Sequence, residues 1–128
     1  MSKILIVDDS LDLLAVLKYF LEKKGYEVEI IPGKEGLIEL IKSFSPDLLI
    51  LDIWLQGEDG RNICKELRSH VSTKYLCILL YSASPKDLSN YKDCGANGFL
   101  EKPFGLETIL STIEKTLHEC KDYHPSAN

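Results

Sequence analysis

No Cys-x-x-Cys pair joins any of Cys64, Cys77, Cys94 and Cys120, and only three histidines accompany them. Neither a zinc site nor a small disulfide scaffold is signalled. The four are expected to be plain buried or half-buried thiols, because free cysteine packs as a small hydrophobe. Such usage fits a reducing cytoplasm. Long apolar runs are missing too: nothing approaches the roughly 18 residues of a membrane span. The opening stretch Met1-Ser2-Lys3-Ile4-Leu5-Ile6-Val7 leads straight into Asp8, too short for a signal peptide. There is no excess of positive charge. The formal net charge of -5 would repel a polyanion, so no direct nucleic-acid contact is expected, and any DNA-binding output would need another chain or domain. Internal repeats and low-complexity stretches are absent.

What is present is ordinary for one globular unit: 128 residues, 45% hydrophobic and 27% charged. That is too apolar for intrinsic disorder and enough chain to bury roughly two thirds of its unfolded surface. Apolar runs alternate with segments of helical period through five rounds, the pattern of βα units around a parallel sheet. Strands are expected over Lys3 to Val7, Glu27 to Ile31, Asp47 to Leu51, Leu76 to Tyr81 and Gly98 to Leu100. The runs Leu48 to Leu51 and Leu76 to Leu80 do not alternate, so helices should cover both faces of those strands.

Helical stripes run through Leu14, Leu17 and Leu21; through Leu37, Leu40, Ile41 and Phe44; through Ile63, Leu67 and Val71; and through Leu106, Ile109, Leu110, Ile113 and Leu117. The fourth helix, Pro85 to Asp93 behind a Ser84 cap, offers only Leu88 and Tyr91 and looks marginal. Gly25, Ser45-Pro46, Gly57, Gly60 and Gly95 punctuate the boundaries. One domain over 1–120 is expected, with a frayed tail over 121–128.

In open parallel sheets, ligands bind outside the carboxyl ends of the strands. Asp8 and Asp9 follow the first strand, Asp52 the third, Ser82 the fourth and Lys102 the fifth. Carboxylates that close repel one another unless a cation joins them, and Mg2+ prefers such oxygen ligands. A carboxylate can also act as a nucleophile to form an aspartyl-phosphate if the charge on the phosphoryl group is neutralised. Each residue has a plainer reading: Asp9-Ser10 as a helix cap, Asp52 and Ser82 as turn formers, Lys102 as a solvated lysine. Their joint placement at successive strand ends favours chemistry.

In order along the chain stand Ile4-Leu5-Ile6-Val7-Asp8-Asp9, Pro46-Asp47-Leu48-Leu49-Ile50-Leu51-Asp52 with Asp59-Gly60 beyond it, Tyr81-Ser82-Ala83, and Gly95-Ala96-Asn97-Gly98-Phe99-Leu100-Glu101-Lys102-Pro103-Phe104. As one ordered set these resemble the receiver domain of two-component response regulators, from Lys3 to about Leu117. The resemblance implies a doubly wound, flavodoxin-like α/β fold with a five-stranded parallel sheet of order 2-1-3-4-5 and five helices. It implies a signalling domain, not a turnover enzyme, that takes a phosphoryl group onto Asp52 from a histidine kinase or phosphotransfer protein. Mg2+ or Mn2+ would be held by Asp9 directly, by Asp52, by Asp8 through water and by the Trp54 backbone carbonyl. Ser82 and Lys102 would hold phosphoryl oxygens, and the Lys102–Pro103 peptide would be cis. Ser82 and Phe99 would switch the face made by the fourth helix, fifth strand and fifth helix toward a downstream protein or effector domain.

Two positions depart from the pattern: Trp54, where a smaller side chain is frequent, and Gln56, where proline is common. The Trp54 ring is expected to hinder attacking water and lengthen the phosphorylated lifetime. A phosphatase of the haloacid-dehalogenase type needs an acid where Trp54 stands. A flavin binder needs a Ser/Thr/Gly-rich loop where Asp8-Asp9-Ser10 stands. A degenerate receiver that binds partners without phosphorylation would show a broken acidic set.

Overall fold

The five apolar runs become the five strands of one parallel sheet. In the computed structural model, which describes residues 2–122, the order is β1 (Lys3–Val7), α1 (Leu11–Lys23), β2 (Glu27–Ile31), α2 (Leu37–Phe44), β3 (Leu48–Asp52), a hairpin of β4 (Trp54–Leu55) and β5 (Glu58–Asp59), α3 (Gly60–Ser69), β6 (Ile78–Ser82), α4 (Pro85–Leu88), a 3-10 turn (Tyr91–Cys94), β7 (Gly98–Glu101) and α5 (Leu106–Asp122). The sheet runs β2-β1-β3-β6-β7, all pairs parallel. Counted within the sheet this is the order 2-1-3-4-5 of the doubly wound flavodoxin-like fold, with five helices, as the resemblance implied.

Every residue of β3 and β6 is buried, which is why those runs do not alternate. Odd and even positions feed two cores. Ile4, Ile6, Leu48, Ile50, Leu79 and Leu100 meet Leu14, Leu17 and Leu21 of α1 and Ile109 and Ile113 of α5. On the other face Leu5, Val7, Leu49, Leu51, Ile78 and Leu80 meet α2, α3 and Leu88 of α4. Each such Leu or Ile contributes roughly 1.5–3 kcal/mol over leaving it in water.

The expected elements hold with small shifts: β3 starts and ends one residue later, β6 spans Ile78–Ser82, and β7 extends to Glu101. Two stripe residues were misread. Val71 lies beyond the end of α3 at Ser69 and is 86% exposed, and Leu106, in the first turn of α5, is exposed as well. The fourth helix is a single turn over Pro85–Leu88 followed by the 3-10 turn, and Ser84, at its N-cap, makes no side-chain cap bond. Of the expected apolar side chains, Leu88 is buried in the core and Tyr91 packs partly buried against it, too little apolar surface for a longer helix. α5 runs to Asp122, two residues into the stretch expected to fray; residues 123–128 lie outside those described.

The expectation of four plain thiols fails at two positions. Cys77, at the foot of β6, and Cys120, near the end of α5, form a disulfide with Cα atoms 6.0 Å apart. The pair is 43 residues apart in sequence, so no local spacing signals it; the α5 stripe that lies on the sheet brings them together. Cys64 and Cys94 remain free and buried.

Candidate phosphoryl-acceptor site

Asp8 follows β1 and Asp52 closes β3, both on the sheet face that carries Ile6 and Ile50. They are 1% and 4% exposed, whereas Asp9 is exposed. Carboxylate oxygens of the three lie within 4.8 Å of one another. Among the described residues no other group of three His, Cys, Asp or Glu gathers this way.

Local hydrogen bonds set each orientation. Ser10 caps α1, its Oγ accepting from the Leu13 N–H at 3.3 Å, and its own N–H donates to Asp8 Oδ1 at 2.8 Å. The cap is therefore Ser10, which leaves Asp9 out of the capping role. Asp52 Oδ1 accepts from the Trp54 N–H at 3.3 Å. The Lys102 ammonium donates to Asp8 Oδ2 at 3.1 Å and to Asp52 Oδ2 at 3.3 Å. The Lys102–Pro103 peptide is cis. Ser82 lies buried at the end of β6, its Oγ accepting from the Ser84 N–H at 3.1 Å, which leaves the hydroxyl proton free to donate.

Burial pushes the Asp52 carboxyl up to about 6; the Lys102 charge opposes that rise and the Asp8 charge adds to it. Three carboxylates gather here and one ammonium bonds two of them, Asp8 and Asp52, so negative charge remains uncompensated. An all-oxygen donor set with several waters suits a hard divalent cation such as Mg2+.

Five residues the sequence singled out, Asp8, Asp9, Asp52, Ser82 and Lys102, collect at one end of the sheet. Phe99 stands apart, 48% exposed on β7, its ring 5.0 Å from that of Tyr91 in the 3-10 turn. Trp54 is 55% exposed and does not swing free. Its indole N–H donates to Asp87 Oδ2 of α4 at 2.6 Å, and the Arg61 guanidinium lies 5.6 Å from its ring centre. Arg61 in turn forks onto Asp59, holding that carboxyl below its usual range, and reaches Asp87 at 3.5 Å. Gly60 opens α3 so close to the end of β3 that a Cβ there would meet the Asp52 carbonyl oxygen at 2.1 Å. That close approach explains the Asp59-Gly60 landmark.

Sequence reasoning missed Arg61, Asp87 and Tyr81. Tyr81 donates its hydroxyl to Asp8 Oδ2 at 2.5 Å from within the core. Its one sequence signal was a phenol in an otherwise aliphatic strand, whose buried hydroxyl needs a partner.

The family described as response regulator receiver domain matches residues 4–114. The chain belongs to that family. Response regulator MprA of Mycobacterium ulcerans is 33% identical over 119 residues, covering 93% of this chain and 51% of that protein. Transcriptional regulatory protein YxdJ of Bacillus subtilis is 29% identical over 117 residues, covering 91% and 51%. The chain thus spans about half the length of the curated relatives it matches. A crystal structure of a putative response regulator from Chloroflexus aurantiacus superposes with a TM-score of 0.84 at 33% identity, covering 91% of this chain and 98% of that one. This receiver domain therefore has the family's fold over 91% of its length.

Proposed function

We propose that this receiver domain accepts a phosphoryl group on Asp52 from a phosphohistidine donor on a histidine kinase or phosphotransfer protein. The observation that carries the reading is the buried Asp52 carboxylate sharing the Lys102 ammonium with Asp8 at the carboxyl ends of the strands. Asp9 and Asp52, the Trp54 backbone carbonyl and, through water, Asp8 would hold Mg2+ or Mn2+, which when bound supplies positive charge against the phosphoryl oxygens.

Asp52 is ionised at neutral pH, because even its raised value of about 6 lies below 7. A carboxylate oxygen of Asp52 attacks phosphorus in line; a P–O bond forms, the donor's P–N bond breaks, and the leaving imidazole nitrogen keeps the electron pair. Lys102 then pairs with one phosphoryl oxygen, and the Ser82 hydroxyl donates to another. As Ser82 turns toward the phosphoryl group, the outward Phe99 ring moves inward, and the face of α4, β7 and α5 is remodelled. The single-turn α4 offers little resistance to that change. The Trp54 ring, held by Asp87 and Arg61, screens the acyl phosphate from water and prolongs its life.

The altered face would be read by a downstream protein or by an effector domain, and any nucleic-acid contact would belong to that effector. The domain would act in the cytoplasm, where a histidine kinase presents its phosphohistidine; no described helix is long and apolar enough to cross a membrane. Intact-mass measurement after incubation with acetyl phosphate and Mg2+ tests the proposal. The expected result is one added phosphoryl group, absent in Asp52→Asn. No added mass, or an addition that Asp52→Asn retains, would overturn it.

A further inference from the structure

The functional reading gives work to Asp8, Asp52 and Lys102 and none to Tyr81, one of the largest fully buried side chains. Tyr81 is the register partner of Asp52 across β3 and β6. Because β3 lies between β1 and β6, a hydroxyl that reaches Asp8 from Tyr81 must span the strand that carries the acceptor. The phenol therefore runs alongside Asp52, and its face lies 4.3 Å from the Lys102 ammonium. Phe104 packs against the same ring at 6.1 Å between centroids. Its neighbours on that face of the sheet, Leu79 and Leu100, fill the core with aliphatic side chains; an aliphatic residue at 81 would do so equally well. A buried tyrosine differs only in bringing a hydroxyl and a π-face, and both are used on site residues.

Asp8 is saturated. Oδ1 accepts from the Ser10 N–H, and Oδ2 accepts from both the Tyr81 hydroxyl and Lys102. When Asp52 carries a phosphoryl group, Lys102 must turn to it and give up Oδ2. A buried carboxylate that loses its only side-chain donor resists the loss strongly, since desolvation leaves it nothing in exchange. With Tyr81 in place, Asp8 keeps two neutral donors while the ammonium slides over the ring face toward the acceptor.

We propose that Tyr81 is a positioning residue for phosphoryl transfer: its hydroxyl fixes Asp8 and its ring seats Lys102, which frees the lysine to leave Asp8 for the phosphoryl group. This rests on the functional reading above. Removal of the hydroxyl lets Asp8 turn toward Lys102 and hold it, away from both the acceptor and the cation.

The test is Tyr81→Phe, which keeps ring and volume, measured alone and in an Asp8→Asn background. Mg2+ affinity is read from the fluorescence of Trp54, the only tryptophan in the chain, beside Asp52. Phosphorylation by acetyl phosphate is followed as saturating rate and half-saturating concentration, with urea unfolding alongside. Tyr81→Phe is expected to lower the saturating rate about tenfold with the half-saturating concentration within about twofold, and to weaken Mg2+ binding about threefold. In Asp8→Asn the same change should shift either quantity by less than about twofold, because the bond it removes is already altered. Rate and Mg2+ affinity both unchanged, tighter Mg2+ binding, or equal losses in the Asp8→Asn background would overturn the proposal. If Tyr81→Phe unfolds at much lower urea, Tyr81→Leu decides: equal unfolding with a larger rate loss than in Phe supports the ring's role, and equal rates overturn it. Should the unsubstituted protein take up no phosphoryl group, the functional reading fails, while the Mg2+ comparison still decides whether Tyr81 acts through Asp8.

Discussion

The two ends of the sheet are built on opposite principles. At the amino end, the Arg68 guanidinium donates to the Gly95 and Leu76 carbonyls at 2.8 and 2.6 Å and to Asn97 Oδ1 at 2.8 Å, and that same oxygen accepts from the Ile78 N–H. Asp47 accepts from the Lys3 N–H at 2.7 Å, and the Cys77–Cys120 disulfide ties β6 to α5. At the carboxyl end, three carboxylates and one ammonium are packed into a partly buried pocket with charge left over. One end satisfies its polar groups and holds the fold. The other keeps a surplus of negative charge at close quarters, which destabilises the fold locally and is the feature on which the proposed function rests.

The largest test of that contrast is Asp52→Asn, which should abolish phosphoryl uptake, read as intact mass, while the fold persists. At the opposite end, Cys120→Ser under oxidising conditions should lower unfolding free energy by about 2–4 kcal/mol, measured in urea, with phosphorylation unchanged within about twofold. Dithiothreitol should bring the unsubstituted protein to the same value, as a reducing cytoplasm would. An equal loss of phosphorylation would mean that the two ends are not separable.

The pH dependence probes the charged end directly. Asp52 in the folded state titrates at about 6, above its ordinary 3.8, so the folded domain binds that proton more tightly than the unfolded chain does. Stability of the metal-free protein from this group is therefore greatest below about pH 4 and falls as pH rises to about 6, by at most about 3 kcal/mol. The difference in urea unfolding between the unsubstituted protein and Asp52→Asn across that range should show it; a difference that does not vary with pH would refute it. The smallest effect concerns Trp54. Trp54→Asn should speed loss of the phosphoryl group about fivefold, on the order of 1 kcal/mol, with stability nearly unchanged. An equal dephosphorylation rate would remove the shielding role given to the ring.

Legibility followed the same division. The runs at β3 and β6 and the stripes of α1 and α5 repeat over a few residues, so they declare their elements and the face each buries. The acidic and basic residues at the strand ends were readable because parallel topology sends every strand end to one side of the sheet. Val71 misled because periodicity does not mark where a helix stops, and the chain leaves α3 at Ser69. Neither the Trp54–Asp87–Arg61 clasp nor the bond from Tyr81 to Asp8 had a local pattern to reveal it.

Five βα rounds, the faces their strands and helices bury, and the placement of Asp8, Asp9, Asp52, Ser82 and Lys102 at strand ends could be read from the sequence, since each depends on short-range period or on position within one unit. Tertiary structure alone decided which distant groups meet. Lys102 reaches Asp8 across 94 residues, Tyr81 reaches Asp8 across 73, and Cys77 joins Cys120 across 43. Those partners are chosen by the order of strands in the sheet and by where each helix settles on it, and no local spacing encodes that choice.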